Sequence, residues 1–238
     1  MTDIIAGGVS RYQIVTPGRY FPVENYAAEN LQEALYRMTG VKLPVRWAHQ
    51  RLPELPAVLV GRVDALEPGL WEKDSYEILP QGSDLILRGP SRRGTHYAAF
   101  AFLESLGVRF WGPDNVLYPQ VDRVALPVAP TRSTAAFGYR HVFYPAAQVP
   151  EWAIRWKLNV HDGRDERWGP NATAHSWGHS FERLVPVEEY FRDHPEYFSL
   201  VDGRRRDHDQ QLCCTNPEMA DVASATMARE TYRSPMDR

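Results

Sequence analysis

Ala28, Leu31, Leu35 and Met38 recur at helical spacing while Glu29, Asn30, Gln32, Glu33 and Arg37 fall mostly on the other side, a pattern that predicts an amphipathic helix over residues 26–39. Asn25 is placed to cap its start, and Gly40 to end it in the left-handed conformation. A second helix is expected over 92–106, with Ser91 as its cap, a buried face of Tyr97, Ala98, Ala101 and Phe102, and Gly107 as its terminator. Short apolar runs at 12–15, 57–60, 76–79, 85–88 and 108–111 read as strands. Both helices are followed by glycine and then extended chain, the order of an α/β sandwich with its helices laid against one sheet.

Periodicity fades over 124–136, where Pro127, Pro130, Thr131, Ser133 and Thr134 give the composition of an interdomain connector. The expected organisation is therefore an α/β domain over 10–125, a linker over 126–136 and a second domain over 137–238. That domain opens with a predicted strand at 137–144 and a helix at 150–158 that starts on proline. A long loop at 159–180, rich in Gly, Asp, His and Trp, comes next and contains one short strand. A short helix at 186–193, a strand at 197–201 running into the Asp202-Gly203 turn, and a returning strand at 211–214 complete the pattern up to the last helix. That helix begins at Asn216, with Pro217 in its first position and Glu218 in its first turn, and extends to residue 229.

The 238 residues are 43% hydrophobic and 24% charged, an ordinary globular composition, and the net charge of −3 supplies no broad basic field for a nucleic-acid backbone. Arg204, Arg205 and Arg206 are bracketed by Asp202, Asp207 and Asp209, which reads as a solvated turn. Cys213 and Cys214 are adjacent, so a disulfide between them would be strained, and no basic residue beside them in sequence activates either thiol. Residues 1–9 lack the basic start and apolar core of a signal peptide, and no apolar run is long enough to cross a bilayer. At face value the chain is cytoplasmic with no membrane partner, and an incomplete start would leave export open.

Two strings go beyond generic pattern. The first is Arg93-Gly94-Thr95-His96-Tyr97-Ala98-Ala99-Phe100 with Phe102-Leu103-Glu104-Ser105-Leu106-Gly107-Val108-Arg109-Phe110-Trp111. It resembles the N-terminal accessory domain of alpha-glucuronidases and beta-N-acetylhexosaminidases. The second, His194-Pro195-Glu196-Tyr197-Phe198-Ser199-Leu200 with Gln211-Leu212-Cys213-Cys214-Thr215-Asn216-Pro217-Glu218, resembles a bacterial carbohydrate-active family that couples such a domain to a hexosaminidase-like barrel. The resemblance implies an α/β fold: an N-terminal α/β sandwich followed by a (β/α)8 barrel that binds sugar at its C-terminal mouth. A complete barrel needs about 250 residues, so the stretch at 137–238 is expected to be an incomplete one. The lone glycine in Arg93-Gly94-Thr95 lacks the spacing of a phosphate-binding loop and reads as a packing feature.

Glycoside hydrolysis needs an acid and a second carboxylate, or an acetamido group borrowed from the sugar. In the hexosaminidase-like relatives the acid ends a mid-barrel strand, which by order of elements falls beyond Arg238, so the catalytic residues are unassigned and the chain is expected to be inactive by itself. Glu182, Glu196 and Glu218 read as a surface charge, a helix-strand corner and a dipole-compensating first-turn residue. The resemblance places Arg140 where hexosaminidases use an arginine to bind sugar hydroxyls; the alternative is an ion pair under the barrel. His175, Trp177 and His179, near Trp168, suit sugar stacking and polar contact, whereas Gly178 and the flanking serines argue against the helix that a zinc pair would need. Asn216 is either a residue of the sugar-binding mouth or a helix cap, and His194 before Pro195 is explained by its helix end. No metal and no cofactor is expected, and carbohydrate is the expected partner. The rival readings are a carbohydrate-binding protein without catalysis and a structural module formed by the N-terminal domain.

Overall fold

Runs of Ile, Val and Leu bounded by turn residues pair into a central sheet in the computed structural model, which describes residues 2–61, 74–90, 92–169, 171–172, 180–207 and 211–233. The elements begin with β1 (Asp3–Ala6), β2 (Gln13–Thr16), α1 (Pro22–Thr39), β3 (Val45–Trp47), β4 (Ala57–Val60), β5 (Tyr76–Gln81) and β6 (Asp84–Arg88). They continue through α2 (Arg92–Ser105), β7 (Arg109–Gly112), β8 (Asn115–Leu117), β9 (Arg123–Ala125), β10 (Thr131–Ser133), α3 (Pro145–Gln148) and α4 (Pro150–Arg155). The central sheet has the order β10-β5-β6-β4-β2-β3. It is parallel from β6 to β3, with α1 crossing between β2 and β3, and antiparallel at β5 and β10. The α/β class expected from the sequence is the one observed.

The expected strands and helices of the first half appear close to their anticipated bounds, with instructive departures. Helix α1 starts at Pro22, four residues before Tyr26, because proline sits at its first position. Asn25 therefore lies inside the first turn and does not cap it; its side chain accepts from Thr16 Oγ1 at 2.7 Å and donates to the Gly18 carbonyl at 3.1 Å, fastening the preceding loop. Gly40 ends the helix at φ +73°, as anticipated, its amide bonded to the Tyr36 carbonyl. Strand β1, which pairs with β9, and the three-residue β3 carry too few residues for a periodicity to register. The cap expected at Ser91 lies outside the described residues.

Helix α2 is buried continuously from Arg93 to Leu103, far beyond the single face its spacing suggests. One side meets α1 and the sheet, and the other is covered by residues that follow the expected connector. Trp152, Ile154 and Trp168 belong to the same core as Leu31, Leu35, Val58 and Leu87. His96 Nε2 bonds the Arg167 carbonyl at 2.8 Å, and the Tyr97 hydroxyl donates to the Leu158 carbonyl at 2.9 Å. The compact unit accordingly runs from Met1 to Ala172, past the connector expected at 126–136. A Cβ on Gly94 would collide with the Ser75 carbonyl oxygen and come within 2.9 Å of Gly89 Cα, so the glycine of Arg93-Gly94-Thr95 is fixed by packing.

No strand forms over 137–144, contrary to expectation. The backbone there is held individually, with the Arg140 amide donating to Asn159 Oδ1 at 2.8 Å and the Arg140 carbonyl accepting from the Asn159 amide at 3.1 Å.

The second unit spans residues 173–238. It contains α5 (Phe181–Leu184), α6 (Val187–Tyr190), a hairpin of β11 (Leu200–Val201) and β12 (Arg204–Arg205), and α7 (Pro217–Arg233). Leu184, Val185, Tyr197, Phe198, Leu212 and Met219 form its core. Asp202 and Gly203 both have positive φ, 52° and 73°, so the anticipated Asp-Gly turn closes the hairpin, but onto Arg204 and Arg205. The expected returning strand at 211–214 contributes a single bridge between Leu212 and Phe198. No helix among the described residues is long and apolar enough to cross a membrane.

Candidate functional site

In the first unit Arg140, one of the residues expected to touch sugar, is bound to a buried carboxylate. Asp74, with a side chain 3% exposed, accepts from Arg93 Nε at 2.8 Å on one oxygen, and from Arg140 Nη2 at 3.0 Å and Asn159 Nδ2 at 3.1 Å on the other. Burial works to raise its pKa, but the hydrogen bond and charge of Arg93 and the bonds from Arg140 and Asn159 outweigh that effect and hold the carboxyl below its ordinary range. Arg140 also donates from Nε to the Lys157 carbonyl, from Nη1 to the Phe137 carbonyl and from Nη2 to the Tyr97 hydroxyl. Its fork is thus engaged within the first unit, in an ion pair with Asp74. Desolvation first, and then the charge of Asp74, push the Tyr97 hydroxyl up to about 12.

Around this lock the chain presents aromatic side chains to solvent. Phe137, Phe143 and Tyr144 are 72%, 69% and 59% exposed. Between them His141 links the Tyr139 hydroxyl (3.2 Å, at Nδ1) to Gln148 Oε1 (3.1 Å, at Nε2), a pairing satisfied when Nε2 carries the proton. Gln148 Nε2 in turn donates to the Val142 carbonyl, and the His141 and Phe143 rings lie 4.7 Å apart. Exposed aromatic faces beside oriented polar groups suit the apolar faces and hydroxyls of a sugar.

In the second unit the two halves of the second string, 194–200 and 211–218, meet. The Cys213 amide donates to the Tyr197 carbonyl at 2.8 Å and the Ser199 amide to the Gln211 carbonyl at 2.9 Å, drawing one half alongside the other. This contact gathers His194, Glu196 and Glu218, whose potential ligand atoms all lie within 4.8 Å of one another. His194 Nδ1 stands 3.2 Å from Glu196 Oε1, the His194 ring stacks on Tyr197 at 4.6 Å and 14°, and the Tyr197 hydroxyl reaches Glu218 Oε2 at 3.5 Å. A hydrogen bond from its own backbone amide, and then His194, hold the Glu196 carboxyl below its usual range against desolvation. Asn216 Oδ1 accepts from the Met219 amide at 3.1 Å, so of its two expected roles the helix cap is the one formed. A hydrogen bond to Thr215 and then one with Arg205 lower the pKa of Cys213, a partner that sequence adjacency did not indicate. Glu196 and Glu218, read separately from the sequence as structural residues, converge through the pairing of 194–200 with 211–218.

His175, Trp177 and His179 lie outside the described residues. Trp168, expected beside them, is buried in the first unit and packs edge-on against Tyr26 at 4.8 Å. The structure also buries two histidines the sequence did not single out. His96 is fully enclosed, and desolvation lowers its pKa to about 4 against the backbone bond to Arg167. His161 is displaced in the same direction, again by desolvation first.

Residues 110–237 match the model of a family described as a domain of unknown function (DUF4838). None of the curated proteins compared matches the sequence. Among solved structures, a novel family GH115 4-O-methyl-alpha-glucuronidase with specificity for decorated arabinogalactans aligns over 98% of this chain and 40% of its own, with TM-score 0.56 and 11% identity. A mutant Streptomyces plicatus beta-hexosaminidase in complex with product (GlcNAc) aligns over 92% of this chain and 40% of its own, with TM-score 0.39 and 14% identity. A GH138 enzyme targeting pectin rhamnogalacturonan II aligns over 54% of this chain and 12% of its own, with TM-score 0.35 and 15% identity. The chain therefore spans less than half the length of each of these proteins, and the glucuronidase likeness shows a shared fold.

Proposed function

The chain belongs to the DUF4838 family, and we propose that it forms part of a carbohydrate-active protein, a glycoside hydrolase acting on a glycan, with an α/β accessory unit followed by the opening of a (β/α)8 barrel. The observation that carries the reading is the exposed aromatic stretch of Phe137, Phe143 and Tyr144 beside the oriented Tyr139, His141 and Gln148. The fold likeness to a glucuronidase of decorated arabinogalactans supports it and suggests a uronic-acid-bearing polysaccharide as the first ligand to try. In this reading the chain holds glycan and the bond-cleaving carboxylates lie outside residues 1–238, in keeping with the 40% of the glucuronidase that it spans.

The test is affinity electrophoresis of the purified chain through gels containing glucuronidated arabinogalactan, alongside aryl-glycoside turnover assays. Retardation by the glycan, lost in Phe143→Ala and Tyr144→Ala, with no turnover, is the expected result. Mobility unaffected by glycan would sink the binding role. Turnover abolished by Glu196→Gln or Glu182→Gln would place the chemistry inside this chain. A carbohydrate-binding role without catalysis draws on the same aromatic stretch, and the two readings separate when the protein from its native source is assayed for hydrolysis.

A further inference from the structure

We propose that His194, Glu196 and Glu218 form a binding site for a divalent first-row transition metal such as Zn2+. An imidazole nitrogen with two carboxylates is a mixed N/O set of the kind that zinc accepts, three protein ligands leaving a position open to water. Two ligands of a tetrahedral zinc, each about 2.0–2.1 Å from the ion, stand roughly 3.3 Å apart. His194 Nδ1 and Glu196 Oε1 are already at 3.2 Å, and one ligand atom from each of His194, Glu196 and Glu218 lies within 4.8 Å of the others, close enough for side-chain adjustment to bring all three onto one ion.

The surroundings orient the donors as well as gathering them. Pro195 restricts the backbone between His194 and Glu196, and the parallel stack on Tyr197 fixes the plane of the imidazole. The same Tyr197 points its hydroxyl at Glu218, the outer hydrogen bond that typically sets a ligating carboxylate. Glu218 itself projects from the first turn of α7, whose start is fixed by the Asn216 cap. Arg205, the cation whose charge Glu196 feels, donates to the Phe198 carbonyl at 2.7 Å. Side-chain exposures of 44% for His194 and 46% for Glu196 leave the cluster open to solvent, so an ion can enter and keep water. A solvent-exposed His-Glu pair alone would stabilise little. A cation shared by all three side chains joins the turn around Pro195 to the start of α7 and gives the two halves of the second string a common purpose. The metal-free expectation drawn from the sequence considered only His175 and His179, and the structure moves the question to a different histidine.

The experiment is calorimetric titration of Zn2+ into the whole chain in a Cys213→Ser, Cys214→Ser background, which removes thiols that would bind zinc independently. Visible absorption on loading Co2+ reports the ligand set. One equivalent should bind with a nitrogen–oxygen cobalt spectrum, and His194→Gln and Glu218→Gln should each weaken binding by at least about tenfold. Asp221→Asn, on the same helix outside the cluster, should leave it unchanged, and far-UV circular dichroism on each variant separates loss of a ligand from loss of fold. Absence of binding at micromolar Zn2+ overturns the proposal. So does binding that survives both substitutions, which would place the ion at other histidines.

Discussion

Arg140 and Asp74 are 66 residues apart in the sequence and meet at 3.0 Å in a site where the aspartate side chain is 3% exposed and the arginine side chain 15%. Removing Arg140 leaves a buried charge with part of its compensation gone. Arg140→Ala is expected to destabilise the first unit by about 3–5 kcal/mol, the range for breaking a buried pair from one side. Arg140→Lys should recover only part of this, because an ammonium cannot reach the Lys157 and Phe137 carbonyls and Asp74 together. Urea denaturation checks both variants. If stability were unchanged while glycan affinity fell, Arg140 would belong to the sugar site after all.

His96 predicts a pH dependence with a definite sign. Its folded pKa is near 4 and its unfolded value 6.5, so between those values the unfolded chain binds more protons and folding stability rises with pH. The contribution is complete above pH 6.5, declines as pH falls through the window and levels off below about 4, its full size being on the order of 3 kcal/mol. His161 adds in the same direction. His96→Gln should flatten the slope of unfolding free energy between pH 4 and 6.5; an unaltered slope would mean that His96 is not the group responsible.

Gly94 offers a steric test. Its missing side chain is replaced by the Ser75 carbonyl and Gly89 Cα, so Gly94→Ala should cost about 1–3 kcal/mol through forced displacement of backbone. Gly138→Ala, where a Cβ meets nothing within 4 Å, should be close to neutral. Thermal unfolding of the two variants side by side distinguishes a packing role from a general intolerance of substitution.

Local signals made much of the first unit legible. The spacing of Ala28, Leu31, Leu35 and Met38 located α1, the left-handed Gly40 located its end, and the run 57–60 is observed with the same bounds as a strand. What the sequence concealed is long-range. The burial of His96 and Phe100 depends on Trp152, Trp168 and Arg167, residues at least 50 positions away, and no periodicity within α2 reports a second covering layer. The strand expected at 137–144 does not form because the backbone polar groups of Arg140 are taken by Asn159, whose side chain accepts from the Arg140 amide and whose amide donates to the Arg140 carbonyl. In the second unit the cap at Asn216 and the Asp202-Gly203 turn were readable because each is decided within a few residues. The convergence of His194 with Glu218 needed the pairing of Tyr197 with Cys213, which only the folded chain provides.

Because α2 is roofed by residues beyond 145 as well as floored by the sheet, the two halves of the first unit are not separable parts. The family match begins at Phe110, inside this unit, yet Phe110 itself accepts the Trp156 indole bond at 2.7 Å and packs edge-on against Phe100 of α2. Severing the chain near Thr131 would unroof Tyr97 and Phe100, turning a core helix into a sticky surface. The compact unit thus takes in both the N-terminal layer and the start of the family segment, and the N-terminal layer would be expected to aggregate when released from its cover.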